Sequence, residues 1–291
     1  MKKLVIAGFG QPVIDLYQSL KSTFEVLGVI PDYNRSLQFP FFYNFLKEEE
    51  LDILSFDDAG KLNLDVVLVI NYNKIIDISR VNVPHLLNIH MGLLPTYRGN
   101  NANSWAILNG DKKVGYTLHA VSSILDGGDI FYKFEYEIQE NETYLQAKNA
   151  INFDLVSSLP SVLQKIAAGE IVGISQENEP FIYASKLLPE DGIIQNWDCE
   201  TETIVNLSII FSRPLGTGLK MKYNDKIIEI SKLSKIPNYK ISKGFSGAVV
   251  LKNEDGSVWI KTKDTAIAIE TIVLDNQIVK PAEVFKIGER L

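Results

Sequence analysis

Apolar positions in the first half of the chain fall in short continuous runs. Residues 4–7 (LVIA) form one run and close on Gly8-Phe9-Gly10; residues 26–30, 65–70 and 86–89 form others. Residues 12–20, which follow the first run, have helical spacing. Strands apolar on both faces and separated by helical segments are what a parallel sheet covered on both sides requires. The pattern predicts an α/β fold with a doubly wound, mostly parallel, Rossmann-like sheet. Residues 143–168 place Leu145, Ala147, Ile151, Leu155 and Leu159 at helical spacing, which predicts a long helix covering the sheet, interrupted at Pro160. Residues 173–191 are polar and contain proline, as a linker with short extended pieces would. The texture then changes. A helix over 204–211 precedes short strands at 219–223, 227–233, 247–251, 258–261 and 266–272, with turn signals at Asn224-Asp225 and Asp255-Gly256. Such spacing indicates a small β-barrel or sandwich. The expected domains are residues 1–190 and 203–291.

Composition narrows this picture. With 291 residues, 46% apolar and 22% charged, the chain is long enough for one large or two modest domains. No apolar stretch reaches the length of a membrane span, so no membrane partner is expected. The start, MKKLVIAGFGQP, reads as a buried first strand and not as a leader. One cysteine and three histidines argue against a disulfide framework and against a Cys/His zinc cluster, so no metal is expected and a reducing, cytoplasmic setting is. The net charge of −7 is unevenly divided: residues 1–200 carry 15 basic and 26 acidic residues, net −11, and residues 201–291 carry 14 and 10, net +4.

Candidate chemistry lies in residues 86–130. The Gly8-Phe9-Gly10 turn lacks the third glycine of a dinucleotide fingerprint, since Val13 stands there, and reads as a tight strand-to-helix turn. In a strand over 86–90, Leu87 and Ile89 point one way, and Asn88 and His90 the other. Both polar residues then sit at the carboxyl end of a buried strand, where open α/β sheets place ligands. An imidazole that takes a proton from an attacking amine, beside a carboxamide that stabilises an oxyanion, suits acyl transfer. A carboxylate to balance the imidazole is available from Asp126 or Asp129, with Gly127 and Gly128 allowing close backbone approach. On spacing alone, Asn-x-His is equally a strand cap or a turn.

Further residues carry a resemblance. Asn88-Ile89-His90 followed by Gly92-Leu93-Leu94-Pro95-Thr96-Tyr97-Arg98-Gly99, then Gly115-Tyr116-Thr117-Leu118-His119 and Leu125-Asp126-Gly127-Gly128-Asp129-Ile130, resembles the ordered motifs of formyltransferases that use 10-formyltetrahydrofolate. The resemblance implies catalytic roles for Asn88, His90 and Asp126. It implies that Asn71, Tyr72 and Ile75, with Ser122, Ser123 and Leu125, hold the folate. It places Gly92, Leu93, Tyr97, Arg98, Asn103 and Trp105 on the substrate side, Gly92 departing from the commoner serine. His119 and Asp129 read as structural, and Arg98 as a tie from the loop to a carboxylate. Residues 187–192 and Trp197, then Arg213-Pro214-Leu215-Gly216 and the closing 281–291, resemble the linker and the OB-like C-terminal domain of that family.

Two branches share these motifs, and they differ in the amine that is formylated. Methionyl-tRNA formyltransferases need a broad basic surface, because phosphate neutralisation dominates RNA affinity; sugar N-formyltransferases need a pocket for a nucleotide-linked amino sugar. The acidic catalytic half, a residue 31–40 loop whose only basic residue is Arg35, and Trp105 after the signature favour the sugar. The basic excess after residue 200 favours tRNA, unless its lysines are a scattered coat. A folate-binding homologue without turnover is the third alternative. A homodimer through the barrel strands is compatible with the pattern.

Overall fold

The computed structural model describes residues 1–32, 40–139, 142–236 and 244–291. Arg35, on which part of the acceptor reading rests, lies outside them, as do Lys240 and Lys243.

The apolar runs become the centre of a seven-stranded sheet. Its strands are β1 (Lys2–Gly8), β2 (Phe24–Pro31), β3 (Asp52–Ile53), β4 (Val66–Ile70), β5 (His85–His90), and two strands further along, β7 (Lys113–Ala120) and β8 (Ile130–Glu137). The order is β3-β2-β1-β4-β5-β7-β8; the first five are parallel and the last two antiparallel. The doubly wound, mostly parallel reading therefore describes this sheet, with an antiparallel edge added. The chain builds outward from β1 through β2 and β3, then returns to its other side at β4. That reversal leaves a crevice at the carboxyl ends of the strands.

Burial explains the central strands: Leu4, Val5, Ile6 and Ala7 on β1, and Val66, Val67 and Leu68 on β4, are inaccessible to solvent. One face packs Ala59, Leu64 and Val81 against Val5, Ala7, Val67 and Val69. The Gly8-Phe9-Gly10 turn is tight for a steric reason: a Cβ on Gly8 would strike the Ile70 carbonyl, and Gly10 sits at φ +76° ahead of the helix Gln11–Leu20.

The long helix runs unbroken over Tyr144–Ala167, with Pro160 inside it. The expected interruption is corrected by packing. Ala147, Ile151, Leu155 and Leu159 before the proline and Val162, Leu163 and Ile166 after it are all buried, which holds both halves on one axis despite the missing N–H. Asp154 on this helix accepts a hydrogen bond from Tyr116 Oη of β7 at 2.9 Å, so the helix lies against the antiparallel edge. A small parallel pair, β6 (Tyr97–Gly99) with β9 (Ile182–Ala184), completes this part.

Contacts divide the chain into two units, the first comprising 1–103, 113–138 and 146–185 and the second 104–112, 139–145 and 186–291. The second unit carries the helix Thr201–Phe211 and the strands β10 (Ile193–Ile194), β11 (Leu219–Tyr223), β12 (Lys226–Lys235), β13 (Val249–Lys252), β14 (Val258–Lys261), β15 (Ala266–Leu274) and β16 (Gln277–Val279). They pair in the order β10-β11-β12-β15-β14-β13, with β16 on β15, antiparallel except for β10 with β11. Their core is Leu219, Met221, Ile228, Val258, Ile260, Ile267, Ile269 and Ile272.

Candidate active site

β5 is the strand that carries the expected chemistry. Leu87 and Ile89 are buried on one side, which turns Asn88 and His90 to the other. On the neighbouring antiparallel strand, His119 lies opposite Asn88 and Thr117 opposite His90. Alternation in Thr117-Leu118-His119 therefore mirrors alternation in Asn88-Ile89-His90, and four polar side chains share one patch of the sheet. The loop after β7 folds back and brings Asp126 onto it.

The distances define the cluster. Asp126 Oδ2 stands 3.5 Å from His90 Nδ1 and accepts the Gly99 N–H at 2.8 Å. Asp126 Oδ1 stands 3.5 Å from both His119 Nε2 and Asn88 Nδ2. Asn88 Nδ2 lies 3.0 Å from His119 Nε2, and His119 Nδ1 lies 2.8 Å from the Ala120 carbonyl. His90 Nε2 lies 2.8 Å from the Tyr97 carbonyl. Carbonyl oxygens only accept, so His119 carries its proton on Nδ1 and takes an Asn88 amide proton at Nε2. By the same argument, neutral His90 carries its proton on Nε2 and turns the Nδ1 lone pair toward Asp126.

Electrostatics follow from burial and partners. Burial pushes the His90 pKa below its ordinary 6.5; the Asp126 charge and the Tyr97 carbonyl pull it back up only in part, and His119 opposes them. Burial raises the Asp126 carboxyl, but its neighbours His119 and His90 and the Gly99 N–H outweigh it and hold the group below the usual carboxylate range. The site thus keeps a neutral imidazole beside an ionised carboxylate near neutral pH.

The loop after β5 walls this patch. Thr117 Oγ1 donates to the Gly92 carbonyl at 2.7 Å and accepts the Leu94 N–H at 3.1 Å, and Lys133 Nζ donates to the Leu94 carbonyl at 2.8 Å. A Cβ on Gly92 would sit 2.8 Å from His90 Nε2 and against Ala102, so the glycine in place of serine is also the residue the packing demands. Leu93 packs toward Gly115. Asn103 is buried and brackets Gly115, donating to its carbonyl at 2.8 Å and accepting its N–H at 2.9 Å. Trp105 belongs to the second unit. Arg98 is 4% exposed, and it differs from expectation in its partners. Its Nη2 donates to the Gln176 Oε1 at 3.3 Å and its guanidinium lies 3.9 Å from the Phe181 ring centre, an amide and an aromatic face in place of a carboxylate.

The residues expected to hold folate are placed variously. Asn71 donates to the Phe9 carbonyl at 3.2 Å, and Tyr72 packs edge-on against Phe56 at 5.5 Å. Ser122 Oγ both donates to the Ile124 carbonyl and accepts the Ile124 N–H, which shapes its own turn. Ser123 and Leu125 are exposed, as are Ile75 and Ile124. Among the described residues no group of three or more His, Cys, Asp or Glu side chains is arranged to hold a metal ion, and no helix is long and apolar enough to cross a membrane.

His119 reads from sequence as structural, yet it touches both Asn88 and Asp126; the two-residue alternation across β5 and β7 is the signal that finds it. Gln176 has no such signal. Nothing near it in sequence marks a partner fifty residues away.

An open α/β sheet with an Asn, His and Asp cluster at its carboxyl edge has the groups that transfer of a small acyl group to an amine requires. The formyl transferase family model matches residues 43–163. The bifunctional polymyxin resistance protein ArnA of Wigglesworthia glossinidia brevipalpis is 27% identical over 243 residues, 78% of this chain and 37% of that protein, so this chain spans well under half of that relative. Methionyl-tRNA formyltransferase of Fusobacterium nucleatum is 27% identical over 218 residues, 71% of this chain and 69% of its own. Among solved structures, the N-formyltransferase of Helicobacter canadensis in complex with folinic acid and dTDP-3-aminofucose superposes with a TM-score of 0.72 at 20% identity, over 92% of this chain and 98% of that one. Over residues 43–163 the chain is thus similar to formyl transferases, and its fold is that of the Helicobacter N-formyltransferase.

Proposed function

We propose that the chain formylates the amine of a nucleotide-linked amino sugar from 10-formyltetrahydrofolate, with Asn88, His90 and Asp126 as its catalytic residues. The observation that carries the chemistry is the buried contact of His90 Nδ1 with Asp126 Oδ2 beside the Asn88 amide. Formyl-folate supplies an activated one-carbon acyl group. The amine nitrogen bonds to the formyl carbon as that carbon parts from the folate nitrogen, and the amine proton ends on the folate nitrogen. His90 Nδ1 takes that proton first. The new N–H then faces Asp126, whose charge stabilises the imidazolium. One Asn88 amide proton is engaged by His119, which orients the group; the other makes only a long 3.5 Å contact with Asp126, which the charge developing on the formyl oxygen would replace. Ile75, Ile124 and Leu125, with Asn71, Tyr72, Ser122 and Ser123, flank the folate, and the 92–99 loop walls the acceptor.

The acceptor reading rests on charge. Residues 1–200, which hold the cluster, are net −11, a poor surface for a polyanion. In the second unit, read as the OB-like domain, Arg213, Lys232, Lys235 and Lys263 each sit on a carboxylate, of Glu229, Glu270, Glu202 and Glu200 respectively. Lys261 is buried, donating to the carbonyls of Thr262 and Lys263. Basic residues spent in this way grip RNA less well. The Helicobacter relative, bound to folinic acid and dTDP-3-aminofucose, supports the same reading. The second reading, a methionyl-tRNA formyltransferase, is favoured by the Fusobacterium relative and by the basic excess after residue 200. Offering 10-formyltetrahydrofolate with dTDP- and UDP-linked 3-amino and 4-amino sugars, and separately with charged initiator tRNA, decides between them. Folate binding with no product from any amine would instead point to a homologue without turnover.

A further inference from the structure

Gln176 is 3% exposed and lies outside every motif in the sequence. It is anchored two residues upstream, where Ile174 and Ile130 exchange both backbone hydrogen bonds at 2.8 Å. Both ends of its amide are engaged. Nε2 donates to the carbonyls of Asp126 at 3.0 Å and Gly128 at 2.5 Å, while Oε1 accepts from Arg98 Nη2 at 3.3 Å. Arg98 is itself seated on Phe181. One buried amide therefore clasps both ends of the Asp126-Gly127-Gly128 turn and is braced from behind by a guanidinium.

That turn needs a clasp. Asp126 lies at φ +50°, a left-handed conformation uncommon for a residue with a Cβ. Gly128 is pressed so closely on the Ala120 carbonyl that no side chain fits.

We propose that Gln176 is a positioning residue for formyl transfer: by holding the Asp126 and Gly128 carbonyls it keeps the Asp126 carboxylate in place against His90. The inference rests on the catalytic reading of Asn88, His90 and Asp126 given above. His90 is faced by Asp126, by His119 and by the Tyr97 carbonyl. Asp126 is faced by His90, His119, the Asn88 amide and the Gly99 N–H. Of the groups facing His90, Asp126 alone brings a full negative charge. If the turn slips, His90 loses the charge that holds its proton, and the acidic limb of activity moves to lower pH.

The test uses two variants of the full chain, Gln176→Leu and Gln176→Glu, with Asp126→Asn alongside. Gln176→Glu keeps an acceptor for Arg98 while losing the donor to the two carbonyls, so it retains the brace and removes the clasp. Expected for both is a fall in kcat of about 10- to 100-fold, the size of effect that a small misplacement of a catalytic group produces. KM for formyl-folate is expected to change less than kcat, since the folate-flanking side chains themselves are retained, and the acidic limb is expected to shift to lower pH. A wild-type rate and limb in Gln176→Glu overturns the proposal, as does a rate loss with no movement of the limb. Loss of folded protein in both variants also overturns it, because Gln176 would then serve the fold and not the turn. Asp126→Asn separates the two levels. If it has wild-type activity, the catalytic reading itself fails; if it is impaired while the Gln176 variants are not, only the positioning role fails.

Discussion

At the residue scale, the site is a problem in proton bookkeeping. His90 binds one proton through Tyr97 and has one lone pair facing a carboxylate, so it can take up a single proton from an amine and hold it against Asp126. Removing the base, His90→Ala, is expected to lower kcat by about 10²–10⁴-fold, and Asn88→Ala by about 10²–10³-fold, measured at saturating substrates with the fold checked by circular dichroism. A base works only when deprotonated. With the His90 pKa held below 6.5 by burial, activity is expected to fall on acidification only below that pH. Asp126→Asn removes a charge that raises the His90 pKa, so its residual activity is expected to titrate at still lower pH; a limb moving upward contradicts the pairing. Asn88, His90 and Asp126 are legible from residue types and order. Gln176 is not, because its role depends on a turn fifty residues away that local sequence does not announce.

At the element scale, the legible parts are those with local punctuation. Strands over 219–223 and 258–261 match the expectation residue for residue, since turn residues bound them closely. The parallel core strands show as apolar runs because both of their faces are covered. The antiparallel edge does not stand out. β8 mixes Phe131, Lys133, Phe134 and Glu135 with three of its eight residues exposed, and β6 with β9 is a three-residue pairing across more than eighty residues of chain. Pro160 misleads in the other direction, because the local rule yields to a buried face extending on both sides. The join between β7 and β8 is tight enough to test. A Cβ on Gly115 would run into the Phe134 carbonyl and come within 2.9 Å of Leu93. Gly115→Ala is expected to destabilise the protein by about 1–3 kcal/mol, the range for overpacked cores, read from urea unfolding. An unchanged midpoint would mean that the edge yields more easily than its packing implies.

At the scale of the whole molecule, charge separates the two acceptors. The total of −7 alone excludes neither; the division into −11 and +4, and the pairing of several second-unit cations with carboxylates, are what the proposed small acceptor rests on. Turnover on a nucleotide-linked amino sugar is expected to change only modestly between 50 and 200 mM salt, whereas an RNA-gripping enzyme making several phosphate contacts would lose about 10³–10⁵ in affinity over that range. The central claim is tested most directly by mass analysis of the products when 10-formyltetrahydrofolate is offered with dTDP- and UDP-linked amino sugars and, in parallel, with charged initiator tRNA. A formylated nucleotide sugar is expected, lost in His90→Ala, with the tRNA unmodified. Formylated tRNA with every sugar untouched would contradict it.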